Sequence, residues 1–350
     1  MTGVRKQILF FARNPHNVVV YERVLRRLLD DARITLYLSS NTSRLRPPNS
    51  LFDSFDLPGA RRVDHRIARW IKYDLYLSPD MFLLSRRSRV RVHTFHGISI
   101  KGKAFSRKVL AYDKLFLIGP YQRRRFARLG VMAEDDPRFV AIGMPKTDAL
   151  FDGSLSREGY LRACGLDPAR RTILYAPTWR PESSLYSLGE PLIRSMRGSE
   201  NNLLVKLHDI SLMETRHGDW RAKMSELEGE GVAFIKEFDA TPALLAADLL
   251  ISDASSVANE YTLLNRPIVF IDVPELFQKY AATIDREDWG QSAGPVARSI
   301  PEIHEAIRRS LADPGEFQEE RRRIASEGFY NPGCAAETAL RAILRLLDLD

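Results

Sequence analysis

Two doubly wound α/β domains with a cleft between them are the fold that this sequence predicts. Three observations carry the prediction. Short apolar runs alternate with stretches whose apolar residues recur every three or four positions, the pattern of βαβ units and parallel sheets. The alternation breaks once, over 146–167, and then restarts. The chain has 350 residues, too many for one average core and suited to two.

In chain order, Ile8–Ala12 predicts a first strand. Val18–Asp30 predicts a helix, because Val20, Val24, Leu25, Leu28 and Leu29 share one helical face. Ile34–Leu38 predicts a strand, and Leu45–Pro58, rich in Pro, Asn and Ser, predicts a loop. Asp74–Leu77, Val90–Phe95 and Leu115–Ile118 read as strands, Tyr121–Leu129 as a basic helix and Phe139–Ile142 as a further strand. After the break, strands are expected at Thr172–Tyr175, Leu203–Lys206, Val232–Ile235, Leu249–Ile251 and Ile268–Ile271. From Pro301 onward the pattern is helical, interrupted at Gly328–Gly333. The first domain is set at 1–150 and the second at 151–350, with the final helix able to pack back on the first.

Hydrophobic residues make up 44% of the chain, the proportion of a packed globular protein. Cys164 and Cys334, its two cysteines, give no disulfide framework and suit a reducing compartment. The opening MTGVRKQILFFARN has an apolar patch too short for a signal peptide, and no apolar run reaches the roughly 18 residues of a membrane span. A soluble or peripheral protein is expected. Charge divides unevenly: 1–150 carries 29 Lys and Arg against 13 Asp and Glu, a net of +16, and 151–350 carries 23 against 32, a net of −9. A basic half predicts a polyanionic partner, be it nucleic acid, an anionic membrane or a phosphate polymer. A solvated Arg-rich surface is the plainer alternative. RNP-like and helix-turn-helix signatures are absent, which speaks against nucleic acid.

Several segments invite chemistry. Gly97-Ile-Ser-Ile-Lys-Gly-Lys-Ala104 nearly spells a P-loop, but Ala104 lacks the hydroxyl that would hold Mg²⁺. No G-x-G-x-x-G is present, so a nicotinamide or flavin fingerprint is missing. His96 stands where a strand runs into the turn at Gly97, a place for an exposed general base. His93, inside that strand, reads as structural. Tyr175-Ala-Pro-Thr-Trp-Arg180 offers Thr178 and Arg180 from a strand's carboxyl end, and an arginine there can grip phosphate with two parallel hydrogen bonds. Leu203-Leu-Val-Lys-Leu-His208 delivers Lys206 and His208 in the same way, so His96 and His208 are expected to face each other from opposite domains. Neither histidine has metal-ligand spacing, so no metal and no cofactor are expected. Asp253-Ala-Ser-Ser256 begins a helix whose first N–H groups, with Ser255 and Ser256, can hold a pyrophosphate; the plainer reading makes one serine a helix cap. Glu260, one turn on, is set either against a ribose or in solvent.

Taken together and in order, these segments resemble the CDP-glycerol:poly(glycerophosphate) glycerophosphotransferase family, which includes teichoic acid primases and polymerases and their capsule relatives. The matching residues are His96-Gly97 with Lys101, Gly143-Met-Pro-Lys-Thr-Asp148, Tyr175–Arg180, Lys206-Leu-His208, Asp253–Ser256 and Asn265-Arg-Pro267. Tyr330-Asn-Pro-Gly333 and the last helix match as well. Three departures from the family pattern stand out. Lys146 replaces an arginine, Asp209 a proline, and Ile98-Ser-Ile100 stands where Thr-Pro-Leu is usual.

The resemblance implies a GT-B-like fold and transfer of a polyol phosphate from a CDP-alcohol donor to a lipid-linked or polymeric phosphate-rich acceptor, with CMP released. It implies that His96 and His208 are catalytic, and that Thr178, Arg180, Lys206, Asp253, Ser255, Ser256 and Glu260 bind the donor. Gly97, Lys101 and Lys146 are set on the acceptor. The expected location is cytoplasmic, on the inner face of the membrane. The basic stretch Arg61–Lys72, with Arg62, Arg66, Arg69, Trp70 and Ile71, is the candidate contact with an anionic membrane surface, and Arg123–Arg125 the reserve. The rivals are a GT-B glycosyltransferase or nucleotide-sugar epimerase and, in another class, a non-catalytic polyanion binder.

Overall fold

A computed structural model of the chain describes residues 5–41, 49–98, 104–213, 218–282, 284 and 290–350. The chain divides into two compact units. The first consists of Met1–Phe151 with Glu327–Asp350, the second of Asp152–Ser326.

The first unit is built on seven strands: β1 (Lys6–Phe11), β2 (Ile34–Ser39), β3 (Arg61–Arg62), β4 (Leu75–Ser78), β5 (Val90–Thr94), β6 (Lys114–Leu117) and β7 (Phe139–Ala141). They pair in the order β3-β2-β1-β4-β5-β6-β7, every pair parallel. Parallel pairing demands a crossover over one face, so the central strands are covered on both sides and their sequences are apolar throughout. Ile8–Phe11 are all buried, as are all four residues of β4. The helix Pro15–Leu29 follows β1. Pro15 opens it, the Asn14 side chain accepts the N–H of Asn17, and Val18, Tyr21, Val24, Leu25 and Leu28 form its buried face.

The second unit is built on six strands: β8 (Thr172–Ala176), β9 (Asn202–Val205), β10 (Val232–Phe234), β11 (Leu249–Ser252), β12 (Ile268–Ile271) and β13 (Val296–Ala297). Their order is β10-β9-β8-β11-β12-β13, again parallel at every pair. In both sheets the winding reverses once, between β1 and β4 and between β8 and β11. At such a switch point two neighbouring connections leave in opposite directions and open a crevice beyond the carboxyl ends.

All strands expected from the sequence are present, with ends shifted by one or two residues. The edge strands β3 and β13 were not expected. Each has two residues, too few for any periodicity, and β3 is two exposed arginines, the kind of charge that keeps a sheet edge from recruiting another strand. Arg61–Lys72 is therefore not one continuous amphipathic element. It is an edge strand followed by the four-residue helix His65–Ala68.

The carboxyl-terminal helix Ala335–Leu346 belongs to the first unit, and Asp148 ties it there. The buried Asp148 carboxylate accepts the N–H of Ala335 at 3.0 Å and of Ala336 at 2.7 Å, at the start of that helix. Burial pushes its pKa up, and the two N–H bonds work against that shift. Gly143 completes the junction. Its φ is +96°, and a Cβ there would lie 2.2 Å from the Tyr330 carbonyl oxygen. Asp148→Ala is expected to cost about 1–2 kcal/mol, the range for a lost helix cap. Urea unfolding measures it, and an unchanged midpoint would show that the two bonds do not hold the terminal helix.

Candidate functional site

The two switch points collect the residues that can do chemistry. In the first unit, β1 ends at Phe11 and leads through Arg13 and Asn14 into the long helix, β4 ends in Ser78-Pro79-Asp80, and β5 ends in Phe95-His96. The His96 ring is exposed, and its Nδ1 lies 3.0 Å from the carbonyl oxygen of Pro79. A carbonyl only accepts, so Nδ1 carries the proton and Nε2 presents a lone pair. His16, in the first turn of the helix, approaches from the other side. Its Nε2 donates to the His96 carbonyl at 3.1 Å, and the two rings meet edge to face with centroids 5.9 Å apart.

The loop that carries the Pro79 carbonyl is pinned. Ser78 Oγ donates to the carbonyl of Phe11, Tyr112 donates to that of Asp80 and Tyr76 to that of Phe82. His93 lies beneath, packed against Phe95 and Tyr112. Burial pushes its pKa down to about 3, so it stays neutral.

In the second unit, Asp253 organises the switch point from within. Its buried carboxylate accepts the Thr178 N–H at 2.8 Å, the Ser184 N–H at 2.9 Å and the Ser184 hydroxyl at 2.8 Å. These bonds close the loop after β8 over the end of β11. Along that loop the Arg180 guanidinium is stacked between two rings, 3.8 Å from the centroid of Trp179 and 4.8 Å from that of Tyr280. Stacking engages the flat faces of a guanidinium, and its N–H donors point outward in the plane, where an anion can meet them. The His208 ring lies 6.0 Å from Trp179. His208 Nδ1 accepts the Ile210 N–H at 3.2 Å, so the proton of the neutral ring sits on Nε2. Lys206 donates to the Leu207 carbonyl at 2.9 Å and lies 3.8 Å from Asp209, the residue standing in place of the family's proline.

Within the second unit, Thr178, Arg180, His208, Asp253, Ser255 and Ser256 thus lie on the strand ends that flank one switch point or on the neighbouring end of β9. Ser256 takes the capping position of the short helix Val257–Thr262, yet its hydroxyl makes no capping bond. Glu260 is 2% exposed, so it is not a solvated side chain. In the first unit Gly97 follows His96, and a Cβ there would meet nothing within 4 Å. Lys146 is 4% exposed, in the short 3₁₀ helix Pro145–Leu150. Lys101 and most of the near-P-loop fall outside the described residues. The sequence reading passed over Arg13, His16, Asp80 and Phe82 beside His96, and Tyr280 beside Arg180. The rule that a doubly wound sheet binds beyond its switch-point strands points directly to the residues after β1. Among the described residues, no three His, Cys, Asp or Glu side chains are grouped to hold a metal ion.

A sequence profile described as CDP-Glycerol:Poly(glycerophosphate) glycerophosphotransferase matches residues 76–345. The chain belongs to that family. Among relatives of this glycerophosphotransferase-family chain, the teichoic acid glycerol-phosphate primase of Bacillus spizizenii is 33% identical over 217 residues, 58% of this chain and 51% of the primase. The chain thus spans about half the length of that relative. The wall teichoic acid polymerase TagF, in a variant soaked with CDPG, matches with a TM-score of 0.74 at 17% identity, over 98% of this chain and 90% of that one. The UDP-GlcNAc 2-epimerase of Neisseria meningitidis, bound to UDP-GlcNAc, matches with a TM-score of 0.63 at 12% identity, over 97% and 100% of the two chains. Both likenesses concern the fold, which is GT-B-like as expected. One fold carrying two chemistries cannot select between them, and the side chains must.

Asp253→Asn tests the loop. An amide can accept one of the N–H bonds but turns a donor toward the other, leaving a buried conflict of about 1–3 kcal/mol. The expected result is a lower unfolding midpoint than the parent protein at neutral pH. Equal midpoints would mean that the loop after β8 holds its shape without this carboxylate.

Proposed function

We propose that this protein moves a polyol phosphate from a CDP-activated alcohol to a hydroxyl of an anionic acceptor, lipid-linked or polymeric, releasing CMP. The observation that carries this reading is the tautomer of His96 in a chain of this family: the Pro79 carbonyl holds the proton on Nδ1 and leaves Nε2 as a base. Nε2 takes the proton of the acceptor hydroxyl. The oxygen forms a bond to the phosphorus that bears the polyol, the bond from that phosphorus to the CMP oxygen breaks, and CMP leaves with the electron pair. The acceptor is held by the first unit and the donor by the second.

On the donor side, the pyrophosphate is assigned to Arg180, to the hydroxyls of Ser255 and Ser256 and to the N–H groups that follow them, with Asp253 and Thr178 shaping the loop around it. Glu260 is kept as a donor-side residue acting from within the unit. His208, carrying its proton on Nε2, and Lys206 stabilise the negative charge that builds on the phosphate. The TagF variant soaked with CDPG supports a cytidine diphosphate donor. Gly97, Lys101 and Lys146 are assigned to the acceptor, Gly97 because neither its backbone angle nor its surroundings require a glycine.

A panel of CDP-alcohols and UDP-sugars, scored for release of CMP or UDP, tests the activity. His96→Ala is expected to lower turnover about 10²–10⁴-fold, the usual contribution of a general base, with little change in donor affinity. Near-normal turnover in that variant removes His96 from the mechanism, and UDP release in place of CMP replaces the reaction by a glycosyl transfer.

The membrane role is proposed with it. No helix among the described residues is long and apolar enough to cross a membrane. Glu327–Asp350 adds two basic and four acidic residues to the first unit, which therefore carries a net +14 against −7 for the second. On its surface Ile67 and Trp70 are 59% and 64% exposed, with Arg69 stacked 4.9 Å from the Trp70 ring and Arg87 donating to the Trp70 carbonyl. Exposed apolar side chains ringed by arginines suit the cytoplasmic face of an anionic membrane. Arg62 contributes less, because Asp53 pairs with it. Replacing Arg66 and Arg69 by Gln and Trp70 by Ser should weaken sedimentation with anionic vesicles, by about 1 kcal/mol for each arginine, and binding by the parent should fall as salt rises. Unaltered sedimentation would move the membrane contact to Arg123–Arg125 or remove it.

A further inference from the structure

We propose that Arg13 and Phe82, both organised by Asp80, form the subsite that receives the end group of the acceptor, a phosphate attached to a polyhydroxylated carbon skeleton. The inference rests on the proposed transfer reaction and names which residues recognise its acceptor.

Phe82 is the starting observation. It is 44% exposed, yet its backbone is fixed at both ends. Its N–H donates to Asp80 Oδ1 at 3.0 Å, and its carbonyl accepts the Tyr76 hydroxyl at 2.6 Å. The ring leans on Phe11, the last residue of β1, with centroids 5.4 Å apart. A ring held this firmly and left half open is a platform and not a loose surface side chain.

Arg13 stands beside it. Its guanidinium lies 5.9 Å from the centroid of the Phe82 ring and 3.6 Å from the same Asp80 Oδ1 that takes the Phe82 N–H. One carboxylate oxygen therefore sets both the cation and the ring. Asp80 balances part of the guanidinium charge, and about half of the Arg13 side chain remains exposed, at 47%. A guanidinium offers five donors, more than one carboxylate at 3.6 Å engages. An aromatic face next to an available guanidinium matches a ligand with C–H groups on one side and a phosphate on the other.

The place of this pair gives it its role. Asp80 follows Pro79, whose carbonyl orients His96, and His16, three residues after Arg13, donates to the His96 carbonyl. The loop that sets the base thus also sets the platform and the cation, so an acceptor end group seated there brings its hydroxyl to the histidine that deprotonates it.

The test uses the full chain with CDP-glycerol as donor and a soluble octyl-tailed glycerol phosphate as acceptor. Arg13→Ala, Phe82→Ala and Phe82→Tyr are compared with the parent. Arg13→Ala should raise the acceptor KM roughly 10- to 100-fold, the loss of a hydrogen-bonded charge contact. Phe82→Ala should raise it roughly tenfold, the loss of a buried aromatic contact, and Phe82→Tyr, which keeps the ring, should stay near the parent. The donor KM and the thermal midpoint should not move, which a general loosening of the fold would not leave intact. Calorimetry with a glycerol phosphate oligomer and no donor gives a second arm, in which the parent binds and Arg13→Ala binds at least tenfold more weakly. Parent-like acceptor KM and binding in both alanine variants, or a donor KM that shifts in parallel, overturns the subsite. If the parent releases no CMP from any CDP-alcohol, the transfer reading itself fails, while the binding arm still decides whether Arg13 and Phe82 hold a polyol phosphate.

Discussion

Every strand pair in both sheets is parallel, and that constraint orders the rest of the molecule. Each connection must return to the amino end of its sheet before the next strand begins, so all carboxyl ends emerge along one edge. Side chains far apart in sequence gather there without any local reason to do so. Arg13, Asp80 and His96 come from the ends of three different strands in the first unit. Thr178, His208 and Asp253 come from three in the second. The reversal of winding then opens one crevice along each edge, and the residues with chemistry lie around those two places and not along the sheets.

Holding such strand ends in place falls largely to the backbone, and two carboxylates show how. Asp148 and Asp253 both belong to the pattern by which the sequence resembles its family, and a pattern cannot tell a ligand-binding carboxylate from one that closes a loop. Their partners can. Asp148 accepts two N–H groups at the start of the terminal helix, and Asp253 accepts two N–H groups and a hydroxyl from the loop after β8. A buried carboxylate with several N–H donors is a rigid fastening, because losing it leaves each donor without water or partner. Asp253 therefore fixes the positions of Thr178 and Ser184 along that loop.

The fold was legible in the sequence for the same reason that it is stable. Buried parallel strands must be apolar on both faces, so Ile8–Ala12, Thr172–Tyr175 and Ile268–Ile271 stand out from the polar connections between them. Edge strands of two residues carry no such signal, and Arg61–Arg62 even carries the opposite one. The second unit's candidate site was legible in part, because Tyr175–Arg180 and Asp253–Ser256 are compact motifs on single strand ends. Most of the first unit's candidate site was not. His96 was visible beside its glycine, whereas Arg13, Asp80 and Phe82 are ordinary residues on separate connections, and only the switch point between β1 and β4 makes them neighbours. Tyr280, which completes the stack on Arg180, lies a hundred residues further along the chain and was hidden for the same reason.

The two histidines show how far backbone geometry alone can fix the tautomer of a ring. His96 Nδ1 faces a carbonyl, and His208 Nδ1 faces an N–H. The neutral rings are thereby fixed in opposite tautomers, one offering a lone pair at Nε2 and the other a proton. When His96 takes up a proton at Nε2, its bond to Pro79 is unchanged, because Nδ1 was the donor already. The ring can therefore cycle between its two states without turning. Were His208 to gain a proton at Nδ1, two donors would confront each other and the bond from Ile210 would be lost. In its neutral form His208 therefore offers a donor at Nε2, which is what the proposed charge-stabilising role requires. The proposed roles, base for His96 and charge stabilisation for His208, each match the group that lies behind the ring.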